Sequence, residues 1–286
     1  MEDFIKAGKI AKEVREYSKT IVKPGIKLID LADKIEKKIS ELGAKSAFPV
    51  NLSLNSVAAH YTPKENDETV FEKDDILKID VGVHVNGYIG DTAVTVGNNK
   101  ELINASQDAL KAATKIVNIG TELREIGKEI NDAITSHGFQ PIVNLSGHGL
   151  DKFVIHTSPS VPNYDNGDTT QLKDGDTIAI EPFATDGKGK VGEGGPSSIY
   201  KLNEIKPIRD MTARKVLKFI QEEYNTLPFA ERWITKKFPK GKFALLSLAR
   251  SGIVKEYAQL PETSKGLVSQ AEHSYLIKEK TIVTTI

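Results

Sequence analysis

The stretch Ile76–Val96, ILKIDVGVHVNGYIGDTAVTV, consists of two alternating apolar runs joined by Asn86-Gly87. An Asn-Gly pair between two such runs is the strongest short-range signal of a β-hairpin. A two-residue turn at this point would pair Val85 with Tyr88. The stretch therefore predicts two antiparallel strands in a defined register.

Two aspartates of this hairpin, Asp80 and Asp91, fall on the same face of the predicted sheet. In the register above, Gly82 faces Asp91 and Asp80 faces Ala93. The two aspartates are then diagonal neighbours, about 7–8 Å apart at Cα and closer at their carboxylates. The opposite face is apolar, at Leu77, Ile79, Val81 and Val83. Partly buried carboxylates this close raise one pKa unless a positive charge lies between them. We therefore expect a cationic partner, which is either Arg, Lys or a metal ion.

The composition excludes several classes of protein. Thirty-nine basic and 39 acidic residues give a net charge of zero, so no global field recruits nucleic acid or an anionic membrane. The absence of cysteine excludes disulfides and thiolate metal sites. A chain of 286 residues can bury a large core in one or two domains. The N-terminus has no apolar signal-peptide core, and no run reaches about 18 apolar residues. We expect a soluble, cytoplasmic protein.

An internal repeat divides the chain into two similar halves. Residues 22–43 match residues 117–138 at an offset of 95, with apolar residues at helical spacing and a glycine at each end. Each copy follows another helical stretch, 3–21 or 100–116. Downstream, His60-Tyr-Thr-Pro resembles His156-Thr-Ser-Pro, and residues 75–80 resemble 176–181. Four similar elements in the same order predict two related α+β halves that each send an acidic residue, Asp80 or Glu181, to a shared centre.

Two further positions, one histidine and one glutamate, are candidates for the same centre. His148 lies between glycines in Ser-Gly-His-Gly, where the backbone can approach the imidazole closely. Glu272 lies within the apolar strand pattern of residues 267–277. We expect His273 to point away from Glu272 along the same strand. We expect His84, near the hairpin tip, and His137, before a glycine, to be solvated.

Four carboxylates (Asp80, Asp91, Glu181 and Glu272) and one imidazole (His148) form an oxygen-rich set that suits divalent Mn, Fe, Co or Zn. Bridging carboxylates can hold two such ions about 3.5–4 Å apart, and such a pair generates hydroxide at neutral pH. The set therefore favours a hydrolase that cleaves an amide, with free imidazoles assisting proton transfer or binding the developing oxyanion.

This set of five residues, with the repeat and the motifs AAHYTP (58–63) and GHG (147–149), resembles the methionine aminopeptidases and their pita-bread relatives. The resemblance covers almost the whole chain. It implies an α+β pita-bread fold, with pseudo-twofold halves, a curved antiparallel sheet, outer helices and two divalent ions (Co, Mn, Fe or Zn) in a central cleft. It also implies removal of the initiator methionine from nascent proteins and peptides whose second residue is small.

The resemblance implies a role for each predicted metal ligand. Asp80 would chelate one metal ion. His148 and Glu181 would bind the other. Asp91 and Glu272 would bridge the two ions.

It also implies a set of residues that contact the substrate. His60 would line the pocket and contact the region of the scissile amide. His156 would stabilise the carbonyl oxygen or the tetrahedral intermediate. Phe48, Ile155 and Tyr257 would line the slot for the methionine side chain. The free amine would be recognised largely by the metal site.

The interval between Glu181 and Glu272 indicates a subclass. Residues 203–258 predict a helical insert, which leaves 1–202 and 259–286 as the catalytic domain. Such an insert resembles type 2 methionine aminopeptidases, and a chain that starts near its first helix resembles their archaeal form. The insert carries an aromatic residue and four lysines that would suit a ribosome or a nucleic acid, namely Trp233, Lys236, Lys237, Lys240 and Lys242. We favour a solvated basic face over an apolar helix pair. We expect a monomer with no specific nucleic-acid partner, for which transient ribosome contact stays open.

Three other functions compete with this interpretation. An Xaa-Pro aminopeptidase or dipeptidase of the same fold usually carries a large extra N-terminal domain and lacks the insert. A non-catalytic pita-bread binding protein typically loses metal ligands, whereas all five are present here. A nucleic-acid module has only the basic insert in its favour, and the neutral net charge disfavours it.

Overall fold

The computed structural model describes all 286 residues. Seven helices are present: α1 (Glu2–Ile21), α2 (Leu28–Glu41), α3 (Lys100–Ile116), α4 (Leu123–Ser136), α5 (Met211–Glu223), α6 (Glu231–Lys237) and α7 (Gly241–Arg250). None of these helices combines the length and the apolar character needed to span a lipid bilayer. The strands are β1 (Lys45–Ser46), β2 (Asn51–Leu54), β3 (Val57–Ala59), β4 (Ile76–Val85), β5 (Tyr88–Gly97), β6 (Gln140–Pro141), β7 (Ser146–Asp151), β8 (Val154–Pro162), β9 (Thr177–Ile180), β10 (Phe183–Thr185), β11 (Pro196–Leu202), β12 (Phe229–Ala230), β13 (Val254–Ala258), β14 (Leu260–Pro261), β15 (Val268–Gln270), β16 (His273–Leu276) and β17 (Ile282–Val283).

The predicted hairpin is confirmed as β4 and β5. Val85 pairs with Tyr88, and Gly82 pairs with Asp91, as the two-residue turn requires. The other edge of β4 pairs with β2 and then with β1, so β4 is an interior strand. The apolar face of β4 packs into a buried core beneath α1 and α2. This burial fixes the opposite face, which carries the aspartates, toward the centre of the molecule.

The internal repeat is also confirmed. Helices α2 and α4 each contain 14 residues and begin 95 positions apart. Each is preceded by a glycine with a positive φ, 89° at Gly25 and 85° at Gly120. Before each following strand, Asp75 or Asp176 accepts a 2.8 Å hydrogen bond from the backbone N–H three residues earlier. Equivalent sequence positions therefore form the same turns in both halves.

Each half has its own core, and the two halves meet along β5. In the first half, α1 and α2 cover the sheet that contains β4. In the second half, α3 and α4 pack onto strands and loops around the five-stranded sheet β8-β7-β9-β16-β17. Strand β5 contacts both β7 and β16. Residues on these three strands therefore come together at the seam, although they are far apart in sequence.

Residues 203–258 contain α5, α6 and α7 around a separate buried cluster. The segment also contains β12 and β13, which the prediction of a helical insert did not include and which pair with opposite edges of β11. Helix α7 ends because Gly252 adopts a left-handed φ of 71°. The N–H of Ile253 donates to the Leu248 carbonyl in the closing turn. The chain then runs back as β13 toward the centre.

Helix α6 contacts α2 through ion pairs and a hydrogen bond. Arg232 is 1% exposed and forms an ion pair with Glu36. Trp233 Nε1 donates to the other Glu36 oxygen at 2.9 Å. Lys236 pairs with Asp33 at 3.0 Å, while Lys240 and Lys242 are exposed. The indole N–H of Trp233 is thus already hydrogen-bonded within the chain, and part of the basic surface is exposed to solvent.

Candidate active site

A cavity of about 210 Å³ lies at the seam between the halves. All ten residues predicted as metal ligands or substrate contacts line it: Phe48, His60, Asp80, Asp91, His148, Ile155, His156, Glu181, Tyr257 and Glu272. Neither lysine nor arginine lines this cavity. The cationic partner expected between the aspartates is therefore not a side chain of this chain.

The predicted ligands lie at distances that suit a shared cation. His148 Nε2 is 3.7 Å from Asp91 Oδ2 and 3.7 Å from Glu181 Oε1. Ligand atoms of Asp91, His148 and Glu272 all lie within 4.8 Å of one another. A separation of 3.7 Å is too long for a hydrogen bond. It is close to the separation of two ligand atoms that each lie about 2.1 Å from one ion.

Three carboxylate oxygens in this group have no hydrogen-bond partner. Asp80 Oδ1, Asp91 Oδ1 and Glu272 Oε2 are buried and accept nothing from the protein. An unpaired buried polar atom costs about 1–3 kcal/mol, and more if it is charged. Divalent cations would compensate all three oxygens at once. The donor set, four carboxylates and one imidazole, therefore fits a metal centre on observations from this structure alone.

The pKa values of the carboxylates also reflect the missing positive charge. Burial raises the pKa of Asp91, Glu181 and Glu272 well above the usual range, and repulsion between the carboxylates raises it further. Burial also raises the pKa of Asp80 to about 7. Bound cations reverse this effect, because positive charge favours the ionised carboxylates.

His148 is held as a neutral ligand. Its Nδ1 lies 3.2 Å from the Gly149 carbonyl, so Nδ1 carries the proton and the Nε2 lone pair faces the carboxylates. Burial lowers the pKa of His148 to about 4. A Cβ at Gly147 would lie 2.3 Å from the Ala179 carbonyl oxygen, and one at Gly149 would lie 2.2 Å from the Ser158 carbonyl oxygen. Both glycines are needed for β9 and β8 to flank His148 this closely.

The backbones of Asp91 and Glu272 are joined across β5 and the start of β16. The Asp91 N–H donates to Ser274 Oγ at 2.8 Å, and that hydroxyl donates to the Asp91 carbonyl at 2.7 Å. The Glu272 N–H donates to the Ala93 carbonyl at 3.1 Å. Thr92 Oγ1 donates to the Glu272 carbonyl at 2.8 Å. Two carboxylates from distant parts of the chain are thereby fixed relative to each other.

Arg15, on α1, supports this junction from behind. Its Nη1 donates to Thr92 Oγ1 at 2.6 Å and to His273 Nδ1 at 3.1 Å. Thr285 Oγ1 also lies 2.8 Å from His273 Nδ1. His273 thus points away from the cavity, as expected. The sequence did not predict the role of Arg15, because an arginine on a helix carries no local signal of a distant partner.

Two histidines line the open side of the cavity. His60 adopts a left-handed φ of 63°, and its Nδ1 donates to the Ala258 carbonyl at 3.2 Å. Its ring meets the Tyr257 ring edge-on at 5.2 Å. His156 is reached by solvent at the mouth of the cavity, and its ring lies 4.4 Å from that of His148. Desolvation lowers the pKa of both His60 and His156, and the neighbouring His148, His60 and Lys201 lower that of His156 further.

An apolar wall lies beside the carboxylates. The ring of Phe48 lies against β4 at Gly82, where a Cβ would be only 2.1 Å from Phe48 Cε1. Ile155 is 6% exposed and packs in the same buried cluster as Phe48. Gly82 is therefore the position that lets an aromatic ring lie next to the aspartates of the hairpin.

Three local expectations had different outcomes. His84 is 6% exposed, so the prediction that it is solvated is wrong. Its Nδ1 accepts from the Gly87 N–H, and Phe153 from the second half covers its ring at 5.6 Å. His137 is exposed, as expected, and lies 3.1 Å from Asp108. Glu272 lies at a break between β15 and β16 rather than within one continuous strand.

Comparison with known proteins agrees with this geometry. Residues 2–207 match the model of metallopeptidase family M24. A methionine aminopeptidase from Archaeoglobus fulgidus is 49% identical over 97% of this chain and 95% of that protein. A solved structure of a thermophilic Arx1 superposes with a TM-score of 0.86 at 17% identity, covering 99% of this chain and 90% of that one. A methionine aminopeptidase from Thermotoga maritima gives 0.73 at 23% identity, covering 99% and 95%. The two structural likenesses concern the fold, and they confirm the pita-bread architecture. The chain belongs to metallopeptidase family M24 and, within it, to the methionine aminopeptidases.

Proposed function

We propose that this chain removes the N-terminal methionine from peptides and newly made proteins whose second residue is small, by metal-dependent hydrolysis of the first amide bond. The observation that carries the proposal is the buried cluster of five ligand side chains, whose unpaired oxygens face a cavity that no lysine or arginine lines. The likeness to the Archaeoglobus fulgidus protein over nearly the full length supports the choice of substrate.

The metal centre would hold two divalent ions, drawn from Co, Mn, Fe or Zn. Asp80 would chelate one ion, and His148 and Glu181 would bind the other. Asp91 and Glu272 would bridge them, since both sit at the junction of β5 and β16. When bound, such a pair supplies hydroxide at neutral pH and positive charge beside the amide oxygen.

The two histidines on the open side would act on the substrate directly. Because the Nδ1 proton of His60 is donated to the Ala258 carbonyl, its Nε2 is left as an acceptor for an N–H at the scissile amide. His156 is neutral at physiological pH, since its pKa is lowered. A neutral imidazole can donate one N–H to the oxygen on which negative charge develops.

Phe48, Ile155 and Tyr257 would form the slot for the methionine side chain. All three line the cavity, and the first two are buried in one apolar cluster. A thioether is flexible and polarizable, so it suits an apolar slot of aromatic and branched residues. The cavity, of about 210 Å³, has room for such a side chain.

The setting of the enzyme follows from this substrate class. An enzyme that trims newly made proteins would work in the cytoplasm, where transient contact with the ribosome stays open, and we expect it to be a monomer. Residues 203–258 would form a type 2 insertion subdomain on a catalytic domain of residues 1–202 and 259–286. Their separate buried cluster around α5–α7 supports this division.

A peptide assay tests the proposal. Protein stripped with a chelator and reloaded with Mn²⁺ should release methionine from Met-Ala-Ser. The matched peptides Met-Lys-Ser and Leu-Ala-Ser should remain largely intact. Activity that needs no metal, or cleavage only before proline, would refute the assignment.

A further inference from the structure

One buried acceptor in the cavity is not explained by the metal centre. Asn51 is 5% exposed and lines the cavity. Its Nδ2 donates to the Pro49 carbonyl at 2.9 Å, which fixes the orientation of the amide. Its Oδ1 is buried and has no hydrogen-bond partner. The cavity thus contains four unpaired acceptors, of which only three belong to predicted metal ligands.

The register of the sheet places this acceptor beside Asp80. Asn51 on β2 pairs directly with Asp80 on β4. Opposite residues of antiparallel strands share a face, with Cβ atoms about 4.5–5.5 Å apart. Phe48, three residues before Asn51, lines the proposed methionine slot. Asn51 therefore lies beside Asp80 on the face of the sheet that lines the cavity, on the same stretch of chain as Phe48.

We propose that Asn51 Oδ1 accepts a hydrogen bond from the α-amine of the N-terminal residue of the substrate. This inference rests on the proposed function. A methionine whose thioether lies in the slot carries its amine only a few bonds from that side chain. The amine has N–H groups to donate, so a hydrogen bond to Asn51 Oδ1 would contribute to the affinity for the N-terminal residue.

The neutral amide suits this role better than a further carboxylate would. A carbonyl oxygen accepts from an amine in either protonation state, whereas a carboxylate favours the charged ammonium form. The centre already holds four acidic groups, and a fifth would increase their mutual repulsion. Asn51 would thus add affinity for the N-terminal amine without adding charge.

Ligand binding by Mn²⁺-loaded protein tests the proposal. Calorimetry would compare L-methionine with 4-(methylthio)butanoate, which has the thioether and the carboxylate but no amine. Asn51→Leu keeps a similar volume and removes the acceptor. We expect affinity for L-methionine to fall about 5- to 10-fold, the equivalent of one net hydrogen bond. Affinity for the des-amino compound should change less than about twofold, and Mn²⁺ content should be unchanged.

Asn163→Leu is the matched control. Asn163 is 1% exposed, its Nδ2 donates to the Leu145 carbonyl at 3.0 Å, and its Oδ1 is also unpaired. It does not line the cavity. This variant should affect both ligands equally or not at all. If Asn51→Leu does not fold, Asn51→Ala should show the same selective loss.

Equal weakening of both ligands by the Asn51 variants would overturn the proposal, as would unchanged affinity for L-methionine. Loss of Mn²⁺ on substitution would instead make Asn51 a support of the metal centre, which also contradicts it. Failure of the proposed function looks different. In that case the wild-type protein itself would neither bind L-methionine nor cleave Met-Ala-Ser.

Discussion

Replacing Arg15 with methionine should weaken both the fold and the metal centre. Arg15 is 8% exposed, and its Nη1 donates to Thr92 and to His273. Thr92 in turn donates to the carbonyl of Glu272, so the guanidinium lies two hydrogen bonds from a predicted bridging ligand. Methionine would keep most of the apolar stem and remove both donors.

The magnitude follows from these contacts. Two hydrogen bonds from a charged donor are worth about 3–6 kcal/mol in total. Desolvation lowers the pKa of Arg15, so part of this gain is offset by the cost of burying the charge. The pair with Glu16, whose side chain is 46% exposed, adds at most about 1 kcal/mol. We expect a net loss of about 2–4 kcal/mol in unfolding free energy.

The affinity for Mn²⁺ distinguishes a role of Arg15 in positioning the metal ligands from a role in stability alone. Residues that orient metal ligands typically change metal affinity by about 10- to 100-fold when substituted. Urea unfolding of the chelated protein would give the stability, and calorimetric titration with Mn²⁺ would give the affinity. Arg232→Met is the control, because Arg232 is also buried but contacts α2 and Thr62 instead. If Arg15→Met binds Mn²⁺ as tightly as the wild type, the positioning role is refuted.

Two further substitutions test separate parts of the structure. Burial and the nearby Lys45 lower the pKa of His84 from 6.5 to about 4. Between these two pH values His84 is therefore protonated in the unfolded chain but neutral in the folded chain. As the pH falls from 6.5 to 4, the unfolding free energy of the wild type, measured with urea, should therefore fall by about 2–3 kcal/mol more than that of His84→Gln. An equal fall in the two proteins would contradict this. His156→Ala should retain Mn²⁺ while kcat for Met-Ala-Ser falls about 10²-fold or more; normal turnover would show that its assigned role is wrong.

Local signals were enough to predict the hairpin, the repeat and the ligand set. The Asn-Gly turn determines the register that places Asp80 and Asp91 on one face. The glycines that bound α2 and α4 mark equivalent turns in the two halves. Each of these features is carried by short patterns that can be read from a single chain, although the segments that carry them are far apart in sequence.

The features that sequence analysis missed depend on distant contacts. Arg15 reaches partners 77 and 258 positions away. Asn51 lies opposite Asp80 only because β2 pairs with β4, and no turn motif determines that register. His84 is buried because Phe153, at the tip of a turn in the other half, covers it. In each case tertiary packing decides the environment of the side chain, even where its own segment was predicted correctly, as for the helix of Arg15 and the hairpin of His84.

A count of bound metal tests whether the five side chains at the seam hold two metal ions. Stripped protein would be dialysed against Mn²⁺ and the bound ions measured per chain, for the wild type and for Asp91→Ala. Asp151→Ala, which removes an exposed carboxylate, serves as the control. We expect two ions in the wild type and in the control, and loss of tightly bound metal in Asp91→Ala. Equal metal content in Asp91→Ala and the wild type, or a wild type that binds none, would show that Asp91 and its neighbours do not form a metal site.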